Sequence, residues 1–293
     1  MSKIKFKKAT EADLNNDAKI TRERMFSGVI PSPEDDRDFT VAAAAQSFPQ
    51  EYESPATEIL DQGPYGMCVA HAIVSAMMRF EKLMCGQYSD YSRGYIYANR
   101  RDTDYQGEGM IMRQGLKQTN HCGTPWYPDF PYRGTYPDLK KRISEEEKLL
   151  ARLAEDHKIR DYFRCYSESD IKETVMTHGS VVITVPVYDN FGRDLHEPEA
   201  GAVETGSHAM IIIGWTKDNK WIVQNSWGEL WGYGGKLRMD FSYPIYEMWG
   251  LSMEVDNVVP REKSWFEKLW RAVIGGISTV KQYILCWINR FKK

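Results

Sequence analysis

The sequence predicts an α+β protein in two subdomains: a helical front half, an antiparallel β-rich back half, and a cleft where they meet. Two observations carry this. After Cys68, the residues Ala70, Ile73, Val74, Met77, Phe80 and Met84 recur at three- and four-residue steps, the period of a helix with one buried face. From Ser180 onward the apolar runs become short and β-branched and stop at Gly, Pro or polar turns, the pattern of strands. The 293 residues, 42% hydrophobic and 27% charged, can bury a core without help from disulfides.

Residues 1–50 read as an N-terminal arm. They begin charged, pass through Pro31-Ser-Pro-Glu-Asp-Asp-Arg-Asp38 and reach the small run Ala42 to Ala45. That composition predicts a weakly structured segment draped over a neighbouring surface. A turn at Asp61-Gln-Gly-Pro-Tyr-Gly66 then opens a helix over Cys68 to Leu83. Residues 88–142, rich in Tyr, Gly and Pro, predict short helices joined by shaped loops, and Ser144 to Asp156 predicts an exposed helix with Glu145-Glu-Glu147 on a solvated face. Val181–Val185, Ala209–Ile213 and Trp221–Gln224 are the predicted strands. In residues 259–293, Phe266, Leu269, Trp270, Val273, Ile277, Val280, Ile284, Trp287, Ile288 and Phe291 fall at helical steps, with basic and polar residues filling much of the other face. This predicts an amphipathic helical tail, hinged or weakened at Gly275-Gly276.

Net charge is −3, which gives no argument for a nucleic-acid partner. The distribution is uneven. Residues 260–293 hold eight Lys/Arg against two Glu, a balance of +6 that leaves −9 for the rest. An acidic body with a basic tail suggests two parts with different partners. The tail is expected to dock on a membrane surface, a partner protein or an assembling particle, with packing on its own catalytic domain as the alternative. The five cysteines, Cys68, Cys85, Cys122, Cys165 and Cys286, are odd in number and widely spaced, with no Cys-x-x-Cys pair. That argues against a disulfide framework and against a zinc site, so no metal or organic cofactor is expected. Met1 to Asp17 has no apolar run to serve as a secretion signal, and no stretch reaches the length of a membrane span. The expectation is a cytoplasmic chain, at most peripheral at a membrane.

The chemistry concentrates at the junction of the halves. Cys68 stands at a helix start directly after a glycine-rich turn, where unpaired N–H groups and the positive end of the helix dipole favour thiolate over thiol. His208 precedes the strand Ala209–Ile213, and Asn225 follows the strand Trp221–Gln224, so two adjacent antiparallel strands bring them together. A lone cysteine is usually inert core, and Cys85, Cys122, Cys165 and Cys286 take that reading. His71 on the Cys68 helix reads as a packed helix residue, His121 as a decoy beside Cys122, and His157, His178 and His196 as surface or loop positions. Ser278-Thr-Val-Lys281 lies in the tail and is not read as catalytic.

Asn225-Ser-Trp-Gly228 followed by Trp231-Gly-Tyr-Gly-Gly235, Gly206-Ser-His208 entering Ala209-Met-Ile-Ile-Ile-Gly-Trp215, and Asp61-Gln62-Gly63-Pro-Tyr-Gly66-Met-Cys68 together resemble the Asn, His and Cys blocks of papain-like cysteine peptidases. The order Gln, Cys, His, Asn matches, over roughly residues 50–258. Arg93-Gly-Tyr-Ile-Tyr97 and Gly107-Glu-Gly109-Met are closer to bacterial and viral branches than to lysosomal ones. Around the nucleophile only Gly66 and Cys68 of the family block remain, and the missing first cysteine removes a family disulfide.

The resemblance implies a papain-like fold and a cysteine endopeptidase acting on protein or peptide substrates. Cys68 would be the nucleophile, His208 its imidazole partner, Asn225 the residue orienting that imidazole, and Gln62 an oxyanion donor beside the Cys68 N–H. Trp227 would shield the His–Asn hydrogen bond, and Gly109 would offer backbone contacts to an extended substrate. Alternatives are acyl transfer or amide cleavage by the same residues, or a silent peptidase-like scaffold used for binding. The arm is expected to lie over or near the cleft and to be trimmed on activation, with an arm that only pads the fold as the alternative.

Overall fold

The computed structural model describes residues 4, 6–24, 28–33, 35, 38, 47–101 and 107–254, all within one compact unit. The amphipathic tail expected at 259–293 and Cys286 lie outside the described residues. The arm, expected to be weakly structured, holds a helix, α1 (Glu11–Arg24), with Glu11 and Asp13 in its first turn and Arg22 and Arg24 in its last. Those charges complement the helix dipole at both ends, and Thr10 and Asp13 bond each other's backbone at its start. Strands β1 (Val29–Ile30) and β2 (Tyr52–Glu53) follow.

Helix α2 (Cys68–Cys85) is the buried centre of the front half. It stops at Gly86, whose φ of +72° suits a left-handed cap and whose N–H bonds the Lys82 carbonyl. Around it lie α3 (Arg93–Ala98), β3 (Met110–Ile111) and α4 (Met112–Cys122), the short pieces expected there. Helix α5 (Tyr136–Ala154) starts eight residues before the expected Ser144. Thr135 caps it through the Asp138 N–H and Pro137 occupies its first turn, a start signal that the Glu145 run obscured; the non-helical Glu146 kinks it.

The back half is an eight-stranded sheet in the order β4-β10-β5-β7-β8-β9-β6, with β2 paired to β7. Its members are β4 (Ile159–Arg164), β5 (Val181–Tyr188), β6 (Asp194–Leu195), β7 (Glu204–Trp215), β8 (Lys220–Gln224), β9 (Lys236–Asp240) and β10 (Glu247–Met253). Helix α6 (Glu168–His178), set by a Ser167/Asp170 capping box, packs against this sheet. The apolar runs of β5 and β7 are continuous because both faces are buried. Val182, Ala209, Ile211 and Ile213 join the core around α2, while Val181, Ile183, Val185, Met210 and Ile212 join a second core with Trp215, Trp221 and Trp231. Of the cysteines expected in the core, Cys165 is buried, Cys85 half-buried and Cys122 exposed at the end of α4. His71 is fully buried, and His157 and His178 are partly buried against aromatic rings rather than free on the surface.

Arg79, buried on α2, ties the two halves. Its Nε and Nη2 donate to Gln224 Oε1 on β8 at 3.0 and 2.7 Å, and its Nη1 donates to the carbonyls of Ser54 and Pro55 and to Ser54 Oγ. Burial draws its pKa down to about 10, so the guanidinium stays charged at neutral pH. Arg79→Met fills similar volume but strands these acceptors. It is expected to destabilise the protein by about 3 kcal/mol, read from the urea midpoint, with Arg79→Lys recovering only part.

Candidate active site

Cys68 is the first residue of α2 and is fully buried. The backbone N–H groups of Ala209, Gly28, Val69 and Cys68 itself act on the thiol in the direction of thiolate. Those donors favour thiolate, but burial outweighs them and pushes the thiol up. One of the donors, Gly28, belongs to the arm.

His208 lies on β7, and Asn225 follows β8, the antiparallel neighbour of β7. His208 Nε2 and Asn225 Oδ1 stand 2.8 Å apart, both residues buried. Asn225 Oδ1 also accepts from the Ser226 N–H at 2.7 Å, so the amide oxygen is the atom turned to the imidazole. Nε2 therefore carries the proton, and Nδ1 is left as the basic nitrogen, buried and without a partner. The Asn225 N–H bonds the Gly235 carbonyl at 2.9 Å, which gives the glycine-rich stretch after the Asn block a positioning role. Trp227 lies against the imidazole, centroids 5.0 Å apart, and Phe191 and Trp231 complete an aromatic wall around it. In this dry setting His208 is held down to about 4, desolvation outweighing the Asn225 hydrogen bond.

Gln62 is buried, with Oε1 accepting from Ser226 Oγ at 2.6 Å and Nε2 donating to the Tyr65 carbonyl at 2.9 Å. One amide N–H remains for a ligand. Ser226, between Asn225 and Trp227, thus aims both neighbouring amides, a role that the sequence reading did not assign.

Gly109 packs against Gly28 of the arm; its N–H donates to Tyr97 Oη at 2.8 Å and its carbonyl accepts from Arg100. What it supplies is clearance. Its φ is +123°, and a Cβ there would collide with the Gly28 carbonyl oxygen, while one on Gly28 would come within 2.5 Å of Gly109 Cα. The hydrogen bonds to the arm come from neighbours. Met110 N donates to the Gly28 carbonyl and Ser207 Oγ to the Val29 carbonyl, both at 2.5 Å, and β1 pairs with β3 in parallel. Beyond the crossing, α1 is tied down by Asp17 to Arg193 and to the Gly232 N–H, by Thr21 to Trp231 Nε1, and by Arg24 to Asp61. Phe191 carries no signal of a site role in the sequence, since a lone Phe near a turn is common, and Ser207 lies within the His block, which gives it no role of its own.

Residues 45–255 match the family model described as papain family cysteine protease. The chain belongs to that family. An uncharacterized peptidase C1-like protein of Acanthamoeba polyphaga mimivirus is 27% identical over 206 residues, covering 63% of this chain and 64% of its own. A cysteine protease of Blomia tropicalis is 25% identical over 216 residues, covering 67% and 61%. The chain thus spans less than two thirds of the length of these relatives. Among solved structures, xylellain, a cysteine protease from Xylella fastidiosa, superposes with a TM-score of 0.69 at 22% identity, over 78% of this chain and 96% of its own. The viral and bacterial members stand beside the branch suggested by the Arg93 and Gly107 stretches. As a papain-family chain it keeps the two-subdomain fold while replacing the residues that flank the nucleophile.

His208 and His71, the latter held down to about 3 by burial, both have folded pKa values below the usual 6.5. The unfolded chain then takes up protons that the folded chain refuses. Their contribution to stability is full above about pH 6.5 and falls progressively towards pH 4 and below. Urea midpoints at decreasing pH are expected to show this loss, and His71→Met is expected to flatten part of it.

Proposed function

We propose that this chain is a thiol endopeptidase, held latent by its own N-terminal arm until the arm is displaced or trimmed. The observation that carries the reading is the buried His208–Asn225 pair, with Nδ1 as the unpartnered base, on the strand whose next residue, Ala209, acts on the thiol of a cysteine that opens a helix. Family membership supports the chemistry. Cys68 passes its proton to His208 Nδ1, and the thiolate attacks the scissile carbonyl. The developing oxyanion accepts from the free Gln62 amide N–H and the Cys68 N–H. The imidazolium then protonates the leaving amine, the C–N bond breaks, and an acyl-enzyme thioester remains. Water, deprotonated by His208, hydrolyses the thioester and returns the thiol. Asn225 holds the ring in register throughout.

Latency rests on the arm crossing at Gly28, packed on Gly66 and Gly109 beside the nucleophile, and on the dry environment that keeps thiol and imidazole neutral. Displacing the arm admits solvent and lowers the cost of the thiolate–imidazolium pair.

An epoxysuccinyl thiol-protease probe is expected to label full-length protein slowly and the full-length Gly28→Val variant rapidly, with no labelling once Cys68→Ala is added. Absence of labelling in every form sinks the peptidase reading, whereas rapid labelling of the unaltered chain refutes latency alone. In the Gly28→Val background, Gln62→Ala is expected to lower kcat on the order of 100- to 1,000-fold.

A further inference from the structure

The arm is held at its far side by a pair of arginines that nothing in the mechanism uses. Arg113, at the start of α4, donates from Nη2 to Asp38 at 2.5 Å, and Arg164, at the end of β4, approaches the same carboxylate oxygen at 3.4 Å. Asp38 and Arg164 are each 7% exposed at the side chain and Arg113 14%, so the contact is largely out of water. Both guanidinium groups lie against the buried indole of Trp249, at 4.4 Å for Arg164 and 5.5 Å for Arg113. The arm connects this place to the Gly28 crossing. The Arg113 N–H donates to Ser32 Oγ at 3.0 Å, and the Ser32 N–H donates to Glu247 Oε1 at 3.1 Å. Ser32 is four residues beyond Gly28, and an extended chain advances roughly 3.3 Å per residue.

The charge balance changes if the arm leaves, because Asp38 leaves with it. Glu247 remains, 3.7 Å from Arg164, its oxygens held by Thr184 Oγ1 and Trp249 Nε1. Two guanidinium groups then face one carboxylate. Among the described residues Arg113 has no other acid, and its Nε is buried without a partner. A buried cation stripped of its counter-ion is costly, and a planar guanidinium is best matched by another carboxylate.

We propose that Arg113 and Arg164 form a carboxylate-binding subsite at the end of the cleft, which the arm fills with Asp38 and which, once vacated, takes an Asp or Glu side chain of the polypeptide substrate. The proposal deepens the peptidase reading and rests on it for the word substrate. The arm itself fits the class of ligand, since its sequence around Asp38 also carries Glu34, Asp35 and Asp36.

The test uses the full chain with Cys68→Ser, Gly28→Val and Asp38→Asn, which unseats the arm and empties the arginine pair without permitting turnover. Fluorescent peptides identical except for one Asp-to-Asn exchange, the Asp moved one position at a time, are bound by anisotropy. At one position the Asp peptide is expected to bind at least about tenfold more tightly than its Asn counterpart, the scale of one charge-assisted hydrogen bond. Adding Arg113→Gln is expected to bring that ratio close to one, and restoring Asp38 to weaken the Asp peptide by competition. Equal binding at every position, including none, overturns the subsite, as does a preference that survives Arg113→Gln. Binding requires no hydrolysis. A preserved Asp preference, beside a Gly28→Val, Asp38→Asn chain that retains Cys68 and yet cleaves nothing, would sink the peptidase reading and leave the subsite standing.

Discussion

The buried guanidinium of Arg79 is the constraint on which the rest of the molecule hangs. It sits midway along the helix that begins at Cys68, and its partners are Gln224, next to Asn225, and the Ser54–Pro55 segment that leads towards Gln62. One planar group therefore sets the helix bearing the sulfur against the strand bearing the amide and the chain bearing the oxyanion donor. A burial this complete is tolerated because its donors meet fixed acceptors rather than a single carboxylate. The two halves are thereby held as one body, and the positions of Cys68 and Asn225 are coupled through packing that lies well below the cleft.

Much of this was legible in the sequence. The helix from Cys68 announces itself by its period, and the strands of the back half by their β-branched runs. The motif blocks mark Gln62, Cys68, His208 and Asn225 because backbone turns and side-chain chemistry there demand particular residues. What stayed hidden depends on long-range contact. Helix α1 has a weak apolar stripe and is set by capping and by its tethers to the back half, so composition alone suggested a loose arm. The start of α5 was masked by an acidic run that drew attention to its exposed middle. Ser226 and Ser207 lie inside the motif blocks, but their roles, like that of Phe191, come from partners remote in sequence. Gly109 stands out in sequence by its glycine-rich context, yet the space it leaves for Gly28 shows only in the approach of the arm.

The electrostatics of the site and the position of the arm are one problem. A covered cleft is dry, and a dry cleft raises the thiol and lowers the imidazole, so both groups rest uncharged. The donors at the sulfur and the Asn225 amide are nonetheless already in place for the charged pair. The donors on α2 and β7 stay in place with or without the arm, and on the proposed latency its removal takes away the Gly28 donor while admitting solvent.

On the proposed latency, the arm is also a ligand that shares a backbone with its receptor. While the chain is continuous, its occupancy of the cleft is governed by an effective local concentration, independent of how dilute the protein is. A single cut in the stretch between Asp38 and the start of β2 leaves every contact of α1, Gly28 and Asp38 available, yet turns one molecule into two. Occupancy then follows mass action, and dilution alone drains the cleft. On that proposal, the same contacts that make the intact chain indifferent to concentration make a nicked one sensitive to it, so dilution becomes part of its control.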